Sequence, residues 1–532
     1  MAVARMSSFR PRMGWLHNWS GLVFGWLFFL IFVTGSCGYL RHDITLWMTP
    51  ELRGLADAAI PPGEAADKAA SWLAANASGA EAWTISLPDE KSPALRVSWE
   101  GKSAGEQLLD PTTGRKLKTP PRETGGGDFL YRLHSDLHFV PAIVGRILVS
   151  LLGVLLLVIL FSGLVAHRHI LRNMFRLRRG RGWRTRLDLH NASGVLVLPF
   201  HLFVLLSGLV TVMLLLQPWG MVSVYGAGGL GAFSKEAFPQ TAVAAPSHAI
   251  VPSTPMLSPL VETARTRWHV EQVGEIHVHQ PGRAGMTVTV AHPIHGLLAM
   301  RKPAVTFDPV DGQVLASVDE NLSPIALFHS QFFGLHVAHF AGPALRLLFF
   351  ALGMVGAFMV ASGLLLWTDK RWHGAKSVTT VDRLNAAVIA GLPLAIGAYF
   401  WANRLLPVSM EARAGAEADV MFAAWGAAFV VALLTPPRVA WTALFALGGA
   451  ALLGAGLADI FGNPPVWKLD VLLIACGILL LSLGARVRIH GRGARIEASR
   501  TIAAPSQRPW RKRLAWSRRL RNSSTGAPRA TR

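Results

Sequence analysis

The sequence places histidine where histidine is costly. His17 opens HNWSGLVFGWLFFLIFVTG and His190 opens HNASGVLVLPFHLFVLLSG, and eighteen residues after each comes a matching doublet, Thr34-Gly35 and Ser207-Gly208. Other histidines border further apolar stretches: His134 and His138 enter one and His167 leaves it, while His336 and His339 enter another. His201 lies inside the stretch that His190 opens. An ionisable side chain within or beside a membrane span is expensive, and is a functional hypothesis by default. Zinc favours tetrahedral N/S/O sets, and ion or proton paths commonly add carboxylates. The four stretches carry no Asp or Glu inside them, and Asp188 sits only at the mouth of one. Histidines alone, on several helices and at two depths, fit haem held by two imidazoles better than a hydrated metal path. His190 and His201 are eleven residues apart, three helical turns plus about 20°, so a continuous helix would carry both on one face ~16 Å apart. His169 and His373 fall in basic loops and read as ordinary surface residues.

The elements that must position these residues are membrane helices. With 51% hydrophobic residues the chain is no ordinary soluble enzyme, and runs of about 18 or more apolar residues are long enough to cross a bilayer. Eight are expected, at 22–39, 143–166, 192–216, 345–367, 384–401, 420–434, 439–457 and 471–487, the sixth being short enough for a re-entrant segment. The first is too long for a removable signal peptide and lacks its cleavage site. The net charge of +21 is concentrated. The stretch HRHILRNMFRLRRGRGWRTR carries eight Arg and no acid, and the tail beyond Val487 is similarly biased. Residues 41–132 instead hold 11 basic and 13 acidic side chains, and residues 217–342 hold 6 and 8. Positive charge marks the cytoplasmic side, so both termini and the Arg-rich loop are expected inside and the two long loops outside. The basic residues are topology signals rather than a nucleic-acid surface. Two cysteines, Cys37 and Cys476, are too few for a thiolate-held iron–sulfur cluster.

The chain also repeats itself. GRILVSLLGVLLLVILFSGL and ALRLLFFALGMVGAFMVASGL align at an offset of 200, which matches Arg146 with Arg346, Gly153 with Gly353 and Ser162-Gly163 with Ser362-Gly363. Each long loop has a helix-like stretch, AADKAASWLAA or LSPLVETARTRW, followed by a strand–turn–strand, LLDPTTGRKL or TFDPVDGQVL. In Asp-Pro-x-x-Gly the Asp bonds the turn backbone, Pro sets φ and Gly takes positive φ. The unit of span, outer α+β domain and span therefore occurs twice. In the first copy Phe28 stands where the second has His201. The last four spans show no such copy, and their GGAALLGAG suits close helix packing. GAGGLG at Gly226 lacks the βαβ context of a dinucleotide site and reads as a flexible loop. HVH at His277 reads as a polar strand face, and HPIH at His292 adds further outer-loop histidines.

The order WLHNWSGLVFGWLFFLIFVTG, RLHSDLHF, WRTRLDLHNASGVLVLPFH and GLHVAHFAGPALR resembles the PepSY-associated transmembrane family, and within it the branch of bacterial inner-membrane ferric-siderophore reductases. The similarity covers residues 13–367. It implies a polytopic, mainly α bundle with a duplicated 2+2 core and two small α+β PepSY-like periplasmic domains. It also implies two b-type haems held by His17, His134, His138, His167, His190, His201 and His336. His339 departs from the family pattern. The repeat offers His17 with His190 and His134 with His336 as pairs. It leaves open His201 with His138 or His336, and His167 in place of His17.

The implied organisation is a first span in 1–40, an outer domain in 41–132, two spans around the basic loop 167–186 in 133–216 and a second outer domain in 217–335. A fourth span in 336–370, a four-span extension in 383–487 and a basic, disordered cytoplasmic tail in 488–532 complete it. The implied activity is reduction of Fe(III)-siderophore in the periplasm with electrons from an inner-side donor, a quinol or a reductase. No catalytic acid, base or nucleophile is needed, because the cofactor carries the chemistry. A metal or siderophore permease and a non-catalytic PepSY-type sensor are the alternatives. Reporter fusions at Ala74 and Ala284 are expected to report the periplasm and one at Arg181 the cytoplasm; a cytoplasmic signal from either long loop would overturn this topology.

Overall fold

A computed structural model describes residues 9–503 apart from 56–59, 90–91, 168–177, 179–181, 217, 238–252, 295, 300–301, 319–323, 370–375 and 465. Most of the Arg-rich loop, the end of the basic tail, His169, His295 and His373 lie outside the described residues. In chain order the structure runs α1 (Phe9–Gly38), α2 (Arg41–Met48), α3 (Pro62–Asn76), β1 (Ala82–Ser86), β2 (Leu95–Glu100), β3 (Gly105–Leu109), α4 (Gly126–Asp136) and α5 (Ala142–Ala166). It continues with α6 (Trp183–Leu196), α7 (Leu198–Thr211), α8 (Ser258–Trp268), β4 (Glu275–His279), β5 (Thr287–Ala291), β6 (Ala304–Phe307), β7 (Val314–Val318), α9 (Pro324–Val337) and α10 (Pro343–Asp369). An extension follows: α11 (Gly391–Leu405), α12 (Arg413–Leu434), α13 (Pro437–Gly462) and α14 (Trp467–Ala503).

Among the described residues seven helices are long and apolar enough to cross a membrane, and α6 with α7, bent by 57°, makes an eighth when the pair is taken as one span. The protein is thus a polytopic helical membrane protein. The span at 420–434, short by sequence, is a 22-residue helix that begins at Arg413. The continuous third span expected from sequence is broken at Val197, and Pro199 explains it. Proline has no N–H to continue the helical ladder and its ring crowds the preceding turn. Trp26 holds the same place relative to His17, and α1 runs uninterrupted through it. In the core, α1 packs on α5 and α10, α10 on α6, and α5 on α7.

The two long loops do not form separate domains. Their strands join in one antiparallel sheet of order β3-β2-β1-β4-β5-β6-β7. The seam is the β1–β4 pair, centred on Thr84 opposite His277. Alternation buries Ile276 and Val278 and leaves His277 and His279 exposed, the polar strand face expected. Helices α3 and α8 cover the other face, where Leu73, Ile85 and Val97 of the first loop share one core with Val261, Val278 and Phe307 of the second. Asp67 on α3 accepts hydrogen bonds from the first amides of α8, Leu257 N at 2.6 Å and Ser258 N at 3.0 Å, which locks the helices together. Both expected turns form. Asp110 Oδ1 takes the Thr112 amide and Asp308 Oδ1 the Val310 amide, while Gly114 (φ 64°) and Gly312 (φ 74°) take the left-handed position. After the first turn only Lys116 bridges back to Leu109, since Pro120 and Pro121 follow within five residues. GAGGLG is not a loop: Gly226–Gly228 is a turn of 3-10 helix leading into an α-helix, Gly229–Ala237.

A shared core makes the two loops cooperative. Ile276→Ala removes a fully buried side chain at the seam, and is expected to cost roughly 2–5 kcal/mol. It should raise proteolysis or hydrogen exchange in 62–109 as well as in 258–318. Loss confined to the second loop would mean that the halves fold separately.

Candidate functional site

One local arrangement holds four histidines. The Nδ1 of His17 on α1 bonds the Ile159 carbonyl of α5 at 3.0 Å, and that of His134 on α4 bonds the Ile31 carbonyl of α1 at 3.0 Å. In the second half His190 on α6 bonds the Met359 carbonyl of α10 at 2.9 Å, and His336 on α9 bonds the Val204 carbonyl of α7 at 3.0 Å. Each carbonyl lies four residues before the glycine of a Ser/Thr-Gly doublet: Gly163, Gly35, Gly363 and Gly208. A helical carbonyl already accepts one amide and keeps a second lone pair, but a side chain one turn ahead would block it. A Cβ on Gly35 would lie 2.7 Å from His134 Nδ1, one on Gly208 2.7 Å from His336 Cε1, and one on Gly163 2.9 Å from His17 Cε1. The contact at Gly363 is looser, 3.1 Å from His190 Cε1. The neighbouring Ser162, Ser207 and Ser362 turn their hydroxyls back onto the same three carbonyls, at 2.8–2.9 Å. The doublets that punctuate the sequence are therefore imidazole seats.

A carbonyl can only accept, so each Nδ1 carries the proton and each Nε2 keeps its lone pair for a ligand. The four rings meet as two pairs. His17 and His190 have ring centroids 6.3 Å apart, as do His134 and His336, with interplanar angles of 63° and 29°. Two imidazole nitrogens bound at the usual ~2.0–2.1 Å to one metal put their ring centroids a little over ~6 Å apart. Both separations fit one metal held between two axial imidazoles. Among the described residues no three His, Cys, Asp or Glu gather as a metal cluster, but a haem iron asks the protein for only two ligands.

A cavity of about 440 Å³ surrounds the His17–His190 pair. Its walls pair off between the halves: Asn18 with Asn191, Gly21 with Gly194, and His167 with Trp367. Gly21 and Gly194 stand one helical turn beyond the two histidines; a Cβ on Gly21 would meet open space, whereas one on Gly194 would lie 3.2 Å from Met359 Sδ. The seat of His134 lies fourteen residues along α1 from His17, so the two pairs are roughly 20 Å apart along that helix.

The remaining expected ligands fall elsewhere. His167 ends α5 and lines the cavity mouth near His17 without replacing it. His201 is buried, 3% exposed, against the Phe32 ring at 5.2 Å, and neither ring nitrogen has a hydrogen-bond partner. The Leu352 carbonyl faces it across Gly356, but outside hydrogen-bonding geometry. This site varies the motif: the first half has Phe28 and Leu156 where the second has His201 and Gly356. The break at Val197 also ends the one-face argument for His190 and His201. His138 stacks on Phe422 at 5.2 Å and meets Phe129 edge-on at 5.4 Å, outside both pairs. His339 lies in the turn after α9, where Ala338 takes φ 56°.

Sequence reasoning passed over His329, buried on α9 two turns before His336. Its spacing from His336 was the available signal. It also passed over buried charges of the extension, Arg53–Asp459–Arg404, which ties it to the first loop, and Arg413–Glu417 within α12. The acids Glu417, Asp459 and Asp470 in otherwise apolar helices were the clue.

Fold and site thus define a polytopic membrane protein whose core sets two imidazole pairs at two depths. The chain matches the PepSY-associated TM region over residues 14–370 and belongs to that family. It is 29% identical over 387 residues, 66% of this chain and 93% of the other, to an uncharacterized protein of Pseudomonas aeruginosa.

The seat geometry predicts a tautomer. In protein prepared free of cofactor, nitrogen-labelled histidine spectra should show His17, His134, His190 and His336 protonated at Nδ1, the minority form in water. Protonation at Nε2 would contradict the carbonyl bonds.

Proposed function

We propose that the protein is a two-haem oxidoreductase of the bacterial inner membrane that reduces Fe(III)-siderophore in the periplasm. The observation that carries this is the pair of matched seats: two imidazole pairs with equal 6.3 Å separations and every Nδ1 on a backbone carbonyl. His17 and His190 would hold one b-type haem and His134 and His336 the other. Iron between two imidazoles supplies one-electron transfer.

The chain's own residues do the rest. The carbonyl bonds fix ring orientation and raise the basicity of Nε2. The apolar helices around each seat exclude water. The sheet, reached from α1 and leading into α4 and α9, sets a polar surface on the side of the His134–His336 pair. On this reading that side is the periplasm, where a bulky ferric chelate can approach without entering the bundle. The chelate's Fe(III) takes one electron, and the resulting Fe(II) is released because siderophore oxygens hold it less tightly. The electron comes from a donor at the opposite side, a quinol or a reductase. The fused sheet is the place of the PepSY-like repeats, and the four matched seats support a duplicated core.

Purified protein is expected to hold two haems per chain by reduced-minus-oxidised spectra. His134→Ala and Gly35→Ala should each remove about one, the second because its methyl displaces the imidazole. Second-sphere losses of this kind weaken metal sites by about 10–100-fold. Dithionite-reduced protein should be reoxidised anaerobically by ferric siderophore and not by the iron-free chelator. Full haem in His134→Ala, or reoxidation indifferent to iron, would sink the proposal.

A further inference from the structure

The extension lies beyond the family match, and one of the helices it is tied to is the α4 that carries His134. Gly125 caps α4 without a side chain, and the cap is supplied from α12: the Gly125 amide donates to Glu417 Oε2 at 3.2 Å and the Thr124 hydroxyl to the same oxygen at 2.6 Å. Glu417 is itself held by Arg413 and by Asn403 Nδ2 at 2.8 Å, and Arg413 and Glu417 are fully buried. Tyr399 on α11 donates to the Gly126 carbonyl at 2.9 Å. Midway along α4, Phe129 packs on Tyr399 at 5.0 Å and on Phe422 at 6.2 Å. Just past its end, His138 stacks on Phe422 at an interplanar angle of 21°, and Phe139 packs on the same ring at 4.5 Å.

The extension also holds the helix beneath. Gly127 N of α4 donates to Thr45 Oγ1 of α2 at 3.0 Å, and Trp47 of α2 donates to Asp470 of α14 at 2.7 Å. The counterpart helix α9, which carries His336, packs instead on α7 and on Gly229–Ala237. One member of the outer pair is thus gripped at both ends of its helix, and the other is held by the core.

We infer that the C-terminal four-helix unit is a positioning module for the outer imidazole pair: Glu417 and Phe422 set α4, and through it the plane of His134, while His138 is a docking residue on Phe422 and not a haem ligand. This rests on the two-haem reading above. Glu417 satisfies the Gly125 amide at the entry to α4, where a carboxylate complements the helix dipole. A flat contact beyond the last turn fixes rotation about the helix axis, which is the motion that would swing His134 out of its seat. Orientation of an axial ligand by outer contacts is one of the means by which a protein tunes a haem site.

The test uses the full chain in detergent with four substitutions: Glu417→Gln, Phe422→Ala, His138→Ala and His138→Phe. Phe422→Leu replaces Phe422→Ala if that variant does not accumulate. Two readouts are taken, the low-spin electron-resonance signal of each haem and its rate of loss to a haem-scavenging globin. Glu417→Gln, Phe422→Ala and His138→Ala are expected to shift only the outer signal and to speed its haem loss by about tenfold, the lower range for outer-contact changes. His138→Phe should match the wild type, because a ring still stacks on Phe422. Loss of a haem in His138→Phe would make His138 a ligand and overturn the inference. So would unchanged outer signals in Glu417→Gln and Phe422→Ala, or equal disturbance of both sites. A third readout needs no haem: in cofactor-free protein, Phe422→Ala should speed amide exchange in α4 and leave α9 unchanged. If that holds while His134→Ala removes no haem, the positioning stands and the haem reading falls.

Discussion

The structure depends on one contact: an imidazole Nδ1–H reaching the second lone pair of a helical carbonyl across a glycine. Such a bond contributes only about 1 kcal/mol net. Its importance is geometric. It joins two helices at a single ring orientation, and its four copies bind α4 to α1, α1 to α5, α6 to α10 and α9 to α7. The same bonds that assemble the bundle also decide which nitrogen of each ring keeps its lone pair. Helix packing and imidazole tautomer are therefore one constraint, and neither can change without the other.

That constraint accounts for the unequal halves. The repeat keeps what the seats need, the histidine, the carbonyl and the Ser/Thr-Gly doublet, and varies elsewhere. Pro199 stands where the first copy has Trp26 and bends the third span by 57°. His201 with Gly356 replaces an aromatic packed on leucines. Outside the membrane the two loops fuse through β1 and β4, because each alone would leave a central strand edge unpaired. The fused sheet ties together the segments that lead into α4 and α9, and so holds the outer pair from above.

The extension adds a layer of a different kind. The core joins helices through imidazole and carbonyl, whereas the extension uses full charges: Arg53 of the first loop pairs with Asp459 across the joint, and the Arg413–Glu417 pair within α12 reaches across it to the Glu123 carbonyl and the Thr124 hydroxyl. Removing one partner of a buried pair is strongly destabilising because the other is left unpaired. Such pairs make poor sliding surfaces and good clamps, which suits an interface that must hold one register.

Much was legible in the residue order. Eight apolar runs, the two Asp-Pro turns and the helix before each strand set were open to local rules, because each depends on neighbours a few residues away. The pairings of His17 with His190 and of His134 with His336 were available from the repeat, since duplicated segments return equivalent positions to equivalent depths. The doublets at Gly35, Gly163, Gly208 and Gly363 were visible as punctuation but not as seats, because the ring each admits comes from another helix. What only the tertiary structure decided was long-range. The seam that makes one sheet of two loops depends on strands nearly 200 residues apart in the chain. His138 and His201 lie against Phe422 and Phe32, neighbours that spacing along one helix cannot supply. Local patterns state which side chains an element carries; only packing states which of them meet.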